Sequence, residues 1–168
     1  METYKVIKGF EGYSVSDFGN VKNNKSGRIL RGGSCKAHKH FNVVLRENNK
    51  SHNKNVHSLV ANAFIENPQN KSCIDHIDNN PQNNNISNLR WATDSQNNQN
   101  KSMMTNNTSG VKGVCWSKAS NKWMSRINID GIAIHLGVFT DIEDAKQARI
   151  LKANALFGVY TNSCEKII

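Results

Sequence analysis

The sequence predicts an α+β protein assembled from small modules. Three observations carry that prediction. Hydrophobic residues make up only 37% of 168, which argues against one large core. Short stretches of alternating apolar residues broken by glycine occupy both ends of the chain. Between them lie a helical 3.6-residue pattern and a polar stretch, CIDHIDNNPQNNNISNLRWATDSQNNQN (73–100), with the makings of a strand, a loop, a second strand and a helix. The expected order is N-terminal antiparallel strands (1–50), a central ββα unit (51–100), a linker (101–109), a three-stranded antiparallel sheet packed on one helix (110–160) and a tail (161–168).

Each element has its own signal. In YKVIKGFEGYSVSDFGNVKNNKSGRIL (4–30), Tyr13, Val15, Val21, Ile29 and Leu30 are the apolar points, and Asp17-Phe-Gly-Asn and Asn24-Lys-Ser-Gly make turns. FNVVLRE (41–47) reads as a further strand. In NVHSLVANAFI, Val56, Leu59, Val60, Ala63 and Phe64 fall at i, i+3, i+4, i+7 and i+8, an amphipathic helix closed by Asn67-Pro68. Ile74 opens a short strand, DNNPQNNN loops, LRWAT (89–93) returns, and a polar helix starts after Thr93 or Asp94. KSMMTNNTS (101–109) has no periodicity. VKGVCWSK (111–118), KWMSRINID (122–130) and GIAIHLGVF (131–139) read as three strands, with Asp130-Gly131 a strong hairpin signal. Thr140 or Asp141 then caps a helix whose apolar points include Ile142, Ala145, Ala148, Ala153, Leu156 and Phe157, ending at Gly158.

Charge narrows the function. The formal net charge is +9, distributed as +6 over residues 1–50, zero over 51–105 and +3 over 106–168. Two basic ends around a neutral middle suit a protein that holds a polyanion at both ends. No apolar run approaches membrane-spanning length, and METYKVIKGF lacks the apolar core of a signal peptide, so an intracellular protein without a membrane is expected. Cys35, Cys73, Cys115 and Cys164 are too widely spaced for a metal knuckle or disulfide framework, and neither structural zinc nor disulfides are expected. The 26 asparagines and the excess of lysine over arginine (16 to 6) follow largely from an A/T-rich coding bias.

A few asparagines need a chemical reason. With the polar filler removed, 73–100 reduces to Asp75-His76, Asn88 twelve residues on and Asn97 nine after that, with Leu89 and Trp91 placed to anchor a hairpin on a helix. A ββα unit brings the end of its first strand and one helix face together. Asp and Asn oxygens there offer hard ligands for Mg²⁺ or Mn²⁺, and the histidine can act as general base on a water attacking a phosphodiester.

Residues 56–100 resemble an HNH endonuclease of homing type, in the variant whose motif ends in asparagine. The order VHSLVANAF, IDHIDNN, NLRWAT carries the resemblance. Carried over residue by residue, it implies that His76 is the general base, that Asp75 and Asn97 are metal ligands, and that Asn88 holds the loop and helps orient the histidine. The family often has arginine where Ser58 follows His57, and Arg90 is the nearby phosphate contact expected instead. YKVIKGFEGYSVSDFGNVKN is similar to the NUMOD element that precedes many such enzymes, with Tyr4 where a tryptophan is usual. It would contact DNA through Lys22, Lys25, Arg28, Arg31 and Lys36.

Residues 109–160 resemble the Apetala/ethylene-response-factor DNA-binding domain through Gly113-Val114, Lys122-Trp123, Ile127, HLGVF (135–139), Asp144-Ala145 and the closing Phe157-Gly158. That resemblance implies DNA contacts at or near Lys112, Cys115, Lys118, Arg126, Asn128 and His135, from a sheet lying in the major groove. Alternation puts Arg126 and Asn128 on one face and Trp123, Ser125 and Ile127 on the other, and Trp116 and Trp123 are expected in the core. The combined expectation is a monomeric, divalent-metal-dependent endonuclease on double-stranded DNA, of the kind found in mobile elements. The alternative is a DNA-binding regulator or recombination accessory protein with a decayed centre. An RNA-binding role has only the charge in its favour.

Overall fold

β1 (Tyr4–Ile7) turns at Lys8-Gly9 into β2 (Phe10–Ser16), and β2 pairs in turn with β3 (Val21–Asn23), all antiparallel. Alternation turns Tyr13 and Val15 inward, where Val15 and Val21 are fully buried with Ile7. This is a computed structural model; it describes residues 1–35 and 38–167, the side chains of 34, 35, 38 and 39 excepted. Lys36 therefore lies outside the described residues.

A second antiparallel sheet follows from β4 (Gly33–Cys35), β5 (His38–Glu47) and β6 (Lys50–Asn55). β6, KSHNKN, carries no apolar residue and gives no strand signal of its own. It forms because Asn48 and Asn49 both take left-handed backbone angles (φ 49° and 60°), the two-residue turn whose twist matches a hairpin. α1 (Val56–Phe64) then lays Val56, Leu59 and Val60 onto Val43 and Leu45 of β5 and onto Val15 and Val21. After α1 come β7 (Cys73–His76) and β8 (Leu89–Ala92), an antiparallel pair in the register Asp75↔Arg90 and His76↔Leu89. Leu89 joins the α1 core, and the Trp91 indole donates to the Ile65 carbonyl at 3.0 Å. The hairpin is thus pinned to the end of α1 by one apolar and one polar anchor.

These elements form one compact unit, Met1–Thr93, and Asp94–Ile168 form another. The expected central module, 51–100, crosses that boundary, because α2 (Asp94–Asn100) belongs to the second unit. There, β9 (Val114–Ser117), β10 (Lys122–Ile129) and β11 (Ile132–Phe139) form an antiparallel sheet with β10 in the centre. Asp130 and Gly131, at φ 49° and 81°, make the tight turn between β10 and β11. α3 (Ile142–Phe157) starts at Asp141, whose carboxylate accepts from the Glu143 amide, and stops at Gly158 (φ 50°). Its Ala153 and Phe157 bury Ile127. Trp116 and Trp123 meet edge to face at 5.1 Å, but Trp116 is 44% exposed, so that corner is not core.

The expected tail is built into this unit. Thr161, Asn162 and Glu165 are buried; the Glu165 carboxylate meets Arg149 of α3 at 2.5 Å and Lys112 at 3.1 Å. Asn162 donates to the carbonyl of Asn100, fixing the end of α2. Residues 101–109 form no helix or strand, yet Asn107 and Ser109 hydrogen-bond to Val111 and Val114. Overall the architecture is α+β, made of several small antiparallel sheets and three helices. Among the described residues no helix is long and apolar enough to cross a membrane.

Candidate active site

β7 delivers Asp75 and His76 together at its C-terminal end, both buried (4% and 7% exposed). A carboxylate taken out of water needs a cation. Arg90, its cross-strand partner, supplies one: Nε and Nη2 approach Asp75 Oδ2 at 2.8 and 2.6 Å. Arg90, expected at phosphate, is here the counter-ion of Asp75.

The loop from Ile77 to Ser87 is closed by asparagines. Asn88 donates through Nδ2 to Asp78 Oδ1 (2.8 Å) and to the Asn83 carbonyl (2.9 Å), while its Oδ1 accepts from the Asp78 amide (3.0 Å). Burial pushes the Asp78 carboxyl up, but hydrogen bonds from Asn83, the Asn80 amide and Asn88 outweigh it and hold the group below its ordinary range. Asn88 therefore holds the loop. The His76 ring is hydrogen-bonded to a different residue, Asn84, whose Oδ1 lies 3.2 Å from His76 Nε2.

Two more imidazoles stand at this point. His57 of α1 meets His76 edge-on at 5.2 Å, and His40 of β5 stacks on His76 at 5.7 Å with ring planes 23° apart. His40 and His57 are 4.6 Å apart. Burial, then the neighbouring His40 and His76, pulls His57 down to about 4; its Nδ1 is buried without a hydrogen-bond partner. His76 is also lowered, by burial first, against the upward pull of Asn84, Asp78 and Asp75. A histidine kept neutral near pH 7 is in the form that accepts a proton. Nothing in the spacing of His40 and His57 announces this cluster, since one sits on a strand and the other on the first turn of a helix.

Asn97 stands on α2 in the second unit, half-buried, with Asn98 beside it exposed. Among the described residues no three His, Cys, Asp or Glu side chains are arranged to hold an ion. An ion at Asp75 would take one carboxylate together with amide and water oxygens, a donor set that fits a hard cation such as Mg²⁺ or Mn²⁺.

The basic flanks divide by environment. Lys25, Arg28 and Arg31 are exposed, and the two arginines line a groove of about 360 Å³ with Leu30, Asn42 and Val44. Lys22 is half-buried with its ammonium 4.1 Å over the Tyr4 ring. In the second unit Arg126, Asn128 and His135 are exposed, with Arg126 directly paired to His135, whereas Ser125 and Ile127 are buried. Lys118 is exposed, and Cys115 pairs with Met124. Lys112, expected on the DNA-facing side, is instead a structural cation. Its ammonium bonds the carbonyls of Gln99 and Lys101, both at 2.8 Å, and faces the Glu165 carboxylate.

Residues 56–99 match the HNH endonuclease family, and residues 2–46 match the NUMOD4 motif. The DNA endonuclease I-HmuI of Bacillus phage SP01 is 37% identical over 77% of this chain and 74% of its own length. The solved structure of DNA binding and cleavage by the HNH homing endonuclease I-HmuI superposes with a TM-score of 0.56 at 32% identity, covering 79% of this chain and 76% of that one. The uncharacterized HNH endonuclease L245 of Acanthamoeba polyphaga mimivirus is 37% identical over 66% of this chain, which spans only 32% of that protein. A buried Asp-His pair on a β-hairpin, a loop closed by Asn88 and these similarities together make this chain a member of the HNH endonuclease family.

Proposed function

We propose that the protein is a metal-dependent endonuclease of homing type that hydrolyses a phosphodiester of double-stranded DNA. The observation that carries this reading is the side-by-side burial of Asp75 and His76 at the end of β7, a burial that also lowers the pKa of the imidazole. His76 takes the proton from the attacking water. Asp75 and Asn97 are the residues that would hold a single divalent cation, Mg²⁺ or Mn²⁺. Bound there, it would offset charge on the scissile phosphate and the leaving 3′ oxygen. Asn88 keeps the loop closed beneath His76, and Arg90 pairs with Asp75 across the hairpin.

DNA is gripped by the flanks, since the middle of the chain has no excess charge. In the NUMOD4 region the contacts are Lys22, Arg28 and Arg31. The second unit acts as an Apetala-like DNA-binding sheet, offering Arg126, Asn128 and His135 from the face opposite α3, with Lys118 beside them. The protein works as a monomer inside the host cell, and its modules are those of a mobile element.

Cleavage and binding should separate. Asp75→Asn and Asn97→Ala are expected to abolish metal-supported cleavage while a mobility-shift assay on the same DNA changes by less than about threefold. Loss of binding in step with cleavage would assign both residues to DNA contact or folding instead.

A further inference from the structure

Asn84 lies in the asparagine-rich loop, eight residues after His76, and belongs to none of the motif positions. It is 5% exposed, and both ends of its amide are hydrogen-bonded. Nδ2 donates to the Gln82 carbonyl at 3.2 Å, so the other end of the amide, Oδ1, is what faces His76 Nε2 at 3.2 Å. A carbonyl oxygen only accepts. The imidazole nitrogen facing it must therefore carry the hydrogen, which leaves the lone pair of the neutral ring on Nδ1.

The amide is held there from behind by the first module. The turn Ser16–Asn20 is tied by Gly19 N to Ser16 O (3.0 Å) and by Asn20 N to Ser16 Oγ (2.9 Å), and Asp17 O accepts from the Ile86 amide (2.8 Å). At its tip Gly19, with φ +87°, presses on Asn84 so closely that a Cβ there would stand 2.8 Å from Asn84 Cβ. Such an approach is open to glycine alone.

We infer that Asn84, seated against Gly19, is a positioning residue that fixes the ring of His76 in the Nε2–H form, so that Nδ1 is the nitrogen that receives the proton in DNA cleavage. This rests on the nuclease reading for its catalytic half and on the structure alone for its tautomer half. It also gives the NUMOD4 region a second job, supporting the base of the active site as well as meeting DNA.

The test uses the full chain labelled with ¹⁵N at histidine, with ring nitrogens read by long-range ¹H–¹⁵N correlation at neutral pH. Asn84→Leu keeps the volume and removes the acceptor, whereas Asn84→Asp keeps the acceptor. Wild type and Asn84→Asp should show His76 with a protonated Nε2; Asn84→Leu should show a mixture of the two ring forms. In cleavage, Asn84→Leu is expected to lower kcat by about 10–100-fold with KM for DNA nearly unchanged, and Asn84→Asp to recover most of it. A protonated Nδ1 in wild type, or ring signals indifferent to Asn84→Leu, overturns the inference. If wild type shows the Asn84-dependent tautomer but cuts no DNA, the clamp stands and the nuclease reading falls.

Discussion

His57 has no place in the chemistry proposed for His76, yet its burial gives it a measurable signature. A histidine whose folded value is about 4 against about 6.5 unfolded binds its proton more readily when the chain unfolds. Its contribution to stability is therefore complete above about pH 6.5 and is lost as pH falls toward 4, by up to about 3 kcal/mol from this one group. Urea unfolding at pH 7.5 and pH 5 should show that loss, and His57→Phe, which has no proton to gain, should flatten it; an equal acid loss in the variant would locate the effect elsewhere. At this scale the spacing of a strand, a loop and a second strand pointed to Asp75, His76 and Asn88 as neighbours at one loop, and the resemblance implied their roles. It could not disclose Asn84 or His40, since one polar residue in an asparagine-rich loop looks like the next and their roles exist only once β5, α1 and the loop have met.

The elements themselves follow from short-range rules: periodicity set α1, Asp130-Gly131 set the β10–β11 turn, and Asp141 and Gly158 bounded α3. β6 escaped because its partner and the Asn48-Asn49 turn create it, with no pattern of its own. Residues 161–168 escaped for a related reason. Glu165 is buried by an ion pair with Arg149, a helix position that the apolar pattern would leave facing water. Glu165→Ala leaves two cations around an empty site and should cost about 3–5 kcal/mol, read as a fall in the urea midpoint of the second unit. A change below about 1 kcal/mol would show the C-terminal segment to be an ornament of the fold. The turn carrying Gly19 has the opposite profile. Gly19→Ala must strain a left-handed position and push Asn84, so kcat should fall about tenfold or more while DNA binding persists. Unchanged turnover would mean that the loop gives way without moving His76.

At the scale of the whole molecule, charge is carried by the ends and chemistry by the middle, and the two can be varied apart. The proposed binding through Arg28 and Arg31 would release counter-ions, so replacing both with alanine should reduce the slope of log affinity against log salt by about 1.8. A slope that does not move would take the groove beside β5 out of the DNA interface. Composition and charge blocks are what suggest this division of labour, but the boundary after Thr93 was hidden because the ββα pattern continues through it in sequence. The proposed nuclease activity is tested most directly by one experiment: supercoiled plasmid carrying DNA from the source genome, incubated with wild type and with His76→Ala in Mg²⁺, Mn²⁺ or EDTA. Wild type should convert it to nicked or linear product with either metal and not in EDTA, and His76→Ala should be slower by at least about 100-fold. Cleavage that survives in EDTA or in His76→Ala would contradict the account, as would no cleavage at all from a wild type that still binds the DNA in a salt-sensitive way.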